Sequence, residues 1–255
     1  MLEPGTLEAI ALFLVRTSAL VLASPLLGTG STFTGYRLGL IGTVSFLLYS
    51  VTGEPLSVVP GPVEFALLAL REVLIGVFLA FTLHAVVLAV RVAGEVIGHE
   101  MTFNMAQLVD PATGMNSPLV TRLYETFFFL GLLAVDGHHW ILRTLARSFE
   151  RAPIGEIAFD TSALTIISDL FREMFVAGIT FAAPVIVLLS LVSLMIGLLS
   201  RAVPQLNIME IGFTLRIVVG MVGLLVFVPF LVPSLNQLYE VLQRGLDTSL
   251  EALAP

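Results

Sequence analysis

Two stretches of this chain, Met174 to Ser200 and Ile217 to Tyr239, contain no acidic or basic residue. About 18–20 apolar residues suffice to cross a bilayer as a helix. In hydrocarbon every backbone N–H and C=O must be paired inside the structure, so such runs have to be helical. Thr17 to Tyr36 and Val73 to Val90, with a single His, read the same way. Only 12% of the residues are charged and 57% are hydrophobic, whereas a soluble domain carries roughly 25% charged residues. The expected fold is all-α: a polytopic, membrane-associated protein of about six long helices arranged as hairpins.

The residue inventory excludes several chemistries. The chain has no Cys and no Lys, and all 12 basic residues are Arg. Disulfides, thiolate metal sites, a Schiff-base lysine and a Walker A lysine are therefore out, and any energy coupling belongs to another protein. A net charge of −7 argues against a nucleic-acid partner. The N-terminal "MLEPGTLEAI" lacks the basic segment of a cleavable signal peptide, so the first apolar run is expected to remain.

Breaks at Pro- and Gly-rich segments place the helices at about Thr6 to Ala23, Tyr36 to Val51, Val63 to His99, Leu119 to Arg151, Ala163 to Ser200 and Ile208 to Gly245, followed by a short amphipathic tail. Kinks are expected at Pro184 and near Pro229 or Pro233. Asp160 or Thr161 can cap the fifth helix. The uncharged part of that helix alone measures about 40 Å at ~1.5 Å per residue. That exceeds the ~30 Å of hydrocarbon, and either tilt or packing among other long helices accounts for it. The loop region near Arg143, Arg147, Arg151 and Arg172 is Arg-rich but also holds Glu150, Glu156 and Asp160. The positive-inside rule thus leaves orientation open.

Four polar constellations stand out. On the third helix His84, Arg91, Glu95 and His99 share a stripe, and Arg91 and Glu95 are spaced to pair. Gly94 and Gly98 let another helix approach closely. Ionisable groups in such a segment mark an interface or a pathway. "DGHHW", Asp136 to Trp140, offers metal-ligand types, but adjacent His side chains on a helix point about 100° apart, consistent with ~3.6 residues per turn. An interfacial belt with Trp140 at headgroup depth fits it better than a metal. No catalytic residue, cofactor site or metal site is expected: "HEMTF" is not HExxH, and no nucleophile elbow, paired carboxylate or nucleotide loop appears.

The break from Met101 to Pro118 is long for a structureless segment, and such loops are often functional. Asp110-Pro111 and Gly114 supply turns, and Ser117-Pro118 reads as the cap and first residue of the next helix. Met101, Phe103, Met105 and Met115 make the segment soft and apolar. The fourth constellation is the interruption "RAVPQLNIMEIGF", Arg201 to Phe213, between the two uncharged runs. Pro204 ends one helix and Asn207 can cap the next. Gly212, Arg216 and Gly220 then fall on one face, with the glycines thinning the helix on either side of the Arg. The insert reads as the tip of a helical hairpin built for protein contacts.

At "SRAVPQLNIMEIGFTLRIVVG" the chain resembles the FliR family of flagellar export-gate proteins, whose virulence relatives are called SctT or SpaR. The pattern is carried by Arg201, Pro204, Gln205, Asn207, Ile211, Gly212, Phe213, Arg216 and Gly220. "GEVIGHEMTF…VDPATG" is a second match, with Thr102 where Gly is common. The resemblance covers essentially the whole chain and leans towards flagellar rather than virulence export. It implies a non-enzymatic subunit in the bacterial inner membrane, within the flagellar basal body. The implied partners are FliP-like and FliQ-like gate subunits, FlhB-like and FlhA-like export proteins, and unfolded protein substrates. It implies a FliP-like four-helix part at 1–160, fused to a FliQ-like hairpin at 161–255 with its polar tip at 201–207. It implies a channel plug at 101–118, containing Met101, Phe103, Met105, Asp110, Pro111, Gly114 and Met115. Arg91, Gly94, Glu95, Gly98, Arg201, Pro204, Gln205, Asn207, Gly212, Arg216 and Gly220 are the expected assembly residues. A secondary transporter using the Arg91–Glu95 stripe is the alternative, although the paired broken segments of an inverted repeat are missing. An intramembrane enzyme using His138 and His139 is a third reading.

Overall fold

The computed structural model of the protein describes residues 4–25, 34–102, 119–154, 162–203 and 208–253. Those residues form seven α-helices and no strand. They are α1 (Thr6–Ala23), α2 (Thr34–Thr52), α3 (Pro62–Glu100), α4 (Leu119–Ala134), α5 (Gly137–Arg151), α6 (Ser162–Ala202) and α7 (Ile208–Glu251). Four of them contain segments long and apolar enough to cross a membrane: Thr6–Ala23, Pro62–Glu100, Thr165–Ala202 and Ile211–Pro229. The chain is an all-α polytopic membrane protein.

Three expectations need correcting. The uncharged run from Thr17 to Tyr36 is not one helix, because α1 stops at Ala23 and the extended Ser24 follows. The single helix expected from Leu119 to Arg151 is two. Asp136 has φ 57, a left-handed conformation that Asp tolerates better than most residues. The Asp-Gly dipeptide there is an ordinary turn signal, and it starts α5 at Gly137. The tail is not separate, since α7 runs on to Glu251. Its Ser249 hydroxyl lies 2.8 Å from that of Thr82 on α3, both buried. The cap expected at Asp160 or Thr161 falls outside the described residues.

The chain forms two compact units. The first comprises Met1–Val86, Val135–Phe171 and Val241–Pro255. Its core includes Leu12, Ile75, Leu145 and Leu246, with Phe13 stacked on Phe149 at 3.9 Å between centroids and edge-on to Tyr49. At Gly76 a Cβ would lie 2.6 Å from the Arg16 carbonyl oxygen, so α1 and α3 touch backbone to backbone. The second unit comprises Val87–Ala134 and Arg172–Glu240. There Tyr124 meets Phe181 edge-on at 5.0 Å, and the Tyr239 hydroxyl donates to the Phe128 carbonyl at 2.9 Å.

Candidate assembly and gating site

The second unit brings together the two motifs that stood out on α3 and α7. At Gly94 a Cβ would lie 2.5 Å from the Thr121 Cα. The helix that the small residue admits is therefore α4 of the same chain. This close approach also redirects the charge on α3. Arg91 does not pair with Glu95; its Nε and Nη2 each lie 2.7 Å from Glu125 Oε1 on α4, and Glu95 is exposed. The close approach of α3 and α4 at Gly94 and Thr121 brings Glu125, one turn along α4, within reach of Arg91. Gly98 is buried, while His84 and His99 are exposed.

α3 ends in a strained turn. Thr102 has φ 62, and its N–H donates to the His99 carbonyl at 2.9 Å. A left-handed residue just past a helix is ordinarily Gly, and a β-branched side chain there is a true outlier. The position where Gly is common in the resembled family thus has a geometric reason for it. Met101, immediately before, is completely buried. Its thioether fills the space beside Gly220 of α7, where a Cβ would fall 2.7 Å from Met101 Cε and Cγ. Met101 is thus held by packing between the end of α3 and α7. Phe103, Met105, Asp110, Pro111, Gly114 and Met115 lie outside the described residues.

The α6–α7 hairpin carries the third element. Gly212 is buried, and a Cβ there would make ordinary contact with the Ile196 side chain at 3.5 Å. Arg216 is half-buried and Arg201 is exposed. Pro204, Gln205 and Asn207 lie outside the described residues. Between the helices, Met195, Leu198, Leu199, Ala202, Ile211 and Leu215 line an apolar cavity of about 400 Å³.

One site escaped the sequence reading. In the first unit Arg16 and Glu72 are both fully buried and ion-paired. The guanidinium also donates to the Ser148 carbonyl at 2.7 Å and the Ala152 carbonyl at 2.9 Å, and it sits 4.1 Å from the Phe149 ring centroid. Arg71 adds a contact to Glu72 and donates to the Pro153 carbonyl at 3.0 Å. Ser148 lies in the last turn of α5 and Ala152 is its C-cap, at the negative end of the helix dipole, while Pro153 follows just beyond. Arg16 therefore locks α1, α3 and α5 together. The available signal was a lone Arg inside the apolar "LFLVRTSALV"; nothing in its spacing names a partner 56 residues away.

The His138 and His139 rings are closer than helical spacing suggests, with centroids 4.1 Å apart. His139 Nδ1 is 3.5 Å from Asp136 Oδ1. All three side chains are exposed, and each offers one ligand atom within 4.8 Å of the others.

Comparison with known proteins agrees with this architecture. A family described as bacterial export proteins, family 1, matches residues 7–242. The chain is 34% identical over 228 residues to flagellar biosynthetic protein FliR of Escherichia coli (strain K12), covering 89% of this chain and 87% of that protein. It is 32% identical over 222 residues to FliR of Bacillus subtilis (strain 168), covering 86% and 85%. A third relative, FliR of Pectobacterium carotovorum subsp. carotovorum, is 30% identical over 227 residues.

Proposed function

The chain belongs to the bacterial export protein family 1, and from that premise we propose that it is a non-enzymatic subunit of the flagellar protein-export gate in the bacterial inner membrane. Membership in this family makes it a component of the flagellar export apparatus that works with other export components. Our reading is that FliP-like and FliQ-like subunits complete the channel with it, that FlhB-like and FlhA-like proteins adjoin it, and that unfolded flagellar proteins pass through. The family match over residues 7–242 carries this reading. The broad apolar exposure of α6 and α7 supports it: only 22% of each spanning window is buried by the chain itself, leaving surface for neighbours.

Within that assembly residues 1–160 act as the FliP-like part and 161–255 as the FliQ-like hairpin, with Arg201 to Asn207 as its contact tip. Residues 101–118 act as the plug, with Met101 as its fixed end against Gly220. Co-expression with FliP-like and FliQ-like subunits tests the assembly; a chain that purifies equally well alone, binds neither and transports a small solute overturns it. Deleting residues 107–116 tests the plug. The deleted complex should assemble and leak small ions after reconstitution, and an assembled complex as tight as wild type refutes the assignment.

A further inference from the structure

The turn that starts α5 holds three ligand-type side chains in an arrangement that hydrogen bonding does not explain. Asp136 is the N-cap of α5. An Asp at that position ordinarily turns its carboxylate onto a free N–H of the first turn, and this one makes no such bond. The His139 N–H donates instead to the Asp136 backbone carbonyl at 2.9 Å. The carboxylate lies beside the His139 imidazole, with Oδ1 3.5 Å from Nδ1. That is too long for a good N–H···O bond, which spans about 2.7–3.2 Å. It is close to the roughly 3.4 Å edge between two donors that each sit ~2.0–2.1 Å from a tetrahedral zinc ion. Helical spacing sends the Cα–Cβ bonds of adjacent His about 100° apart, yet the His138 and His139 ring centroids lie only 4.1 Å apart. One ligand atom from each of the three residues lies within 4.8 Å of the others.

We propose that Asp136, His138 and His139 bind one divalent transition-metal ion of the zinc class, with water or an outside ligand completing the coordination. Two imidazoles and a carboxylate suit that class. Zinc takes His and Asp ligands, and sites with three protein ligands keep a position open. Imidazole also suits copper and nickel, whereas calcium and magnesium call for oxygen donors. Closing the widest separation to a tetrahedral edge moves the donors by about 1–1.5 Å. All three side chains are exposed, so no packing opposes that movement. A bound ion ties the carboxylate to the first turn of α5, where the cap hydrogen bond is absent. The donors come from four consecutive residues, so the site is complete in a single chain and stands apart from the export reading.

The test uses the full-length protein, purified in detergent with a tag free of His, stripped with a chelator and titrated with Zn²⁺ against a chromophoric chelator. One ion should bind per chain at micromolar concentration. Asp136→Asn, His138→Gln and His139→Gln should each weaken binding by more than the roughly 10–100-fold that follows loss of an outer-shell partner. Asn tolerates the left-handed backbone and both His side chains are exposed, so these variants keep the fold, which circular dichroism verifies. The chain has four His, and the other two, His84 and His99, are also exposed. The double variant His84→Gln/His99→Gln should bind zinc like wild type. X-ray absorption at the zinc edge should show imidazole in the coordination sphere of wild type and of this double variant. Binding only at millimolar concentration, binding that survives Asp136→Asn or either His138→Gln or His139→Gln undiminished, or binding lost in His84→Gln/His99→Gln overturns the site.

Discussion

Arg16→Met is the most informative single substitution outside the proposed interfaces. It keeps an unbranched apolar side chain in α1 but removes the guanidinium. Glu72 then stays fully buried with only the 3.5 Å contact to Arg71, and the Ser148 and Ala152 carbonyls each lose a donor. Removing one partner of a buried ion pair costs about 3–5 kcal/mol. The Ser148 carbonyl keeps the Ala152 N–H at 3.0 Å; the Ala152 carbonyl carries a cost of about 1–3 kcal/mol, which overlaps with the first figure because one group serves all three acceptors. A loss of roughly 3–5 kcal/mol is the working value. For a chain of this size each kcal/mol corresponds to about 2–4 °C, giving a fall of roughly 6–20 °C in Tm. The measurement is thermal unfolding of the detergent-purified protein by circular dichroism. Arg16→Met/Glu72→Leu is the control, since replacing both charges with apolar groups is often neutral or stabilising, and it should melt above the single variant. A single variant melting within about 2 °C of wild type, or a double variant no better than the single one, would refute the argument.

Three further outcomes follow from local geometry. Thr102→Gly should stabilise by about 0.5–1 kcal/mol, because relief of the left-handed strain, about 1–2 kcal/mol, exceeds the added backbone entropy of Gly; an unchanged or lower Tm contradicts this. Gly94→Ala should cost about 1–3 kcal/mol of overpacking, since its Cβ meets backbone at Thr121, whereas Gly220→Ala meets the flexible Met101 thioether and should cost less; equal losses in unfolding measurements would sink the distinction. Burial pushes the Tyr239 phenol up to about 12 from an ordinary value near 10. The folded state thus holds the phenolic proton more tightly, and this contribution is fully present below about pH 10 and lost as pH rises towards 12. Tyr239→Phe should flatten the fall in stability across that window, and an unchanged pH profile would assign the fall to other groups.

The amino-acid sequence by itself determined the helices, the membrane class and most of the breaks. Uncharged runs such as Met174 to Ser200 force backbone pairing within the segment, and Pro or Gly ends it; both effects are local, so they are legible in one dimension. The same local rule had a signal at Asp136-Gly137, where the turn dividing α4 from α5 was passed over inside an apolar pattern. The tertiary structure alone decided where the charges go. Arg91 had a plausible partner four residues away and took Glu125 instead, 34 residues on. Arg16 and Glu72 looked like isolated charges in separate helices until packing brought α1, α3 and α5 together. Met101 stands in the sequence as one more apolar residue at the end of a helix, and only packing seats it beside Gly220, 119 residues on. Each of these choices depends on which helix faces lie within hydrogen-bond or van der Waals reach, and residue spacing along a single helix does not encode that distance.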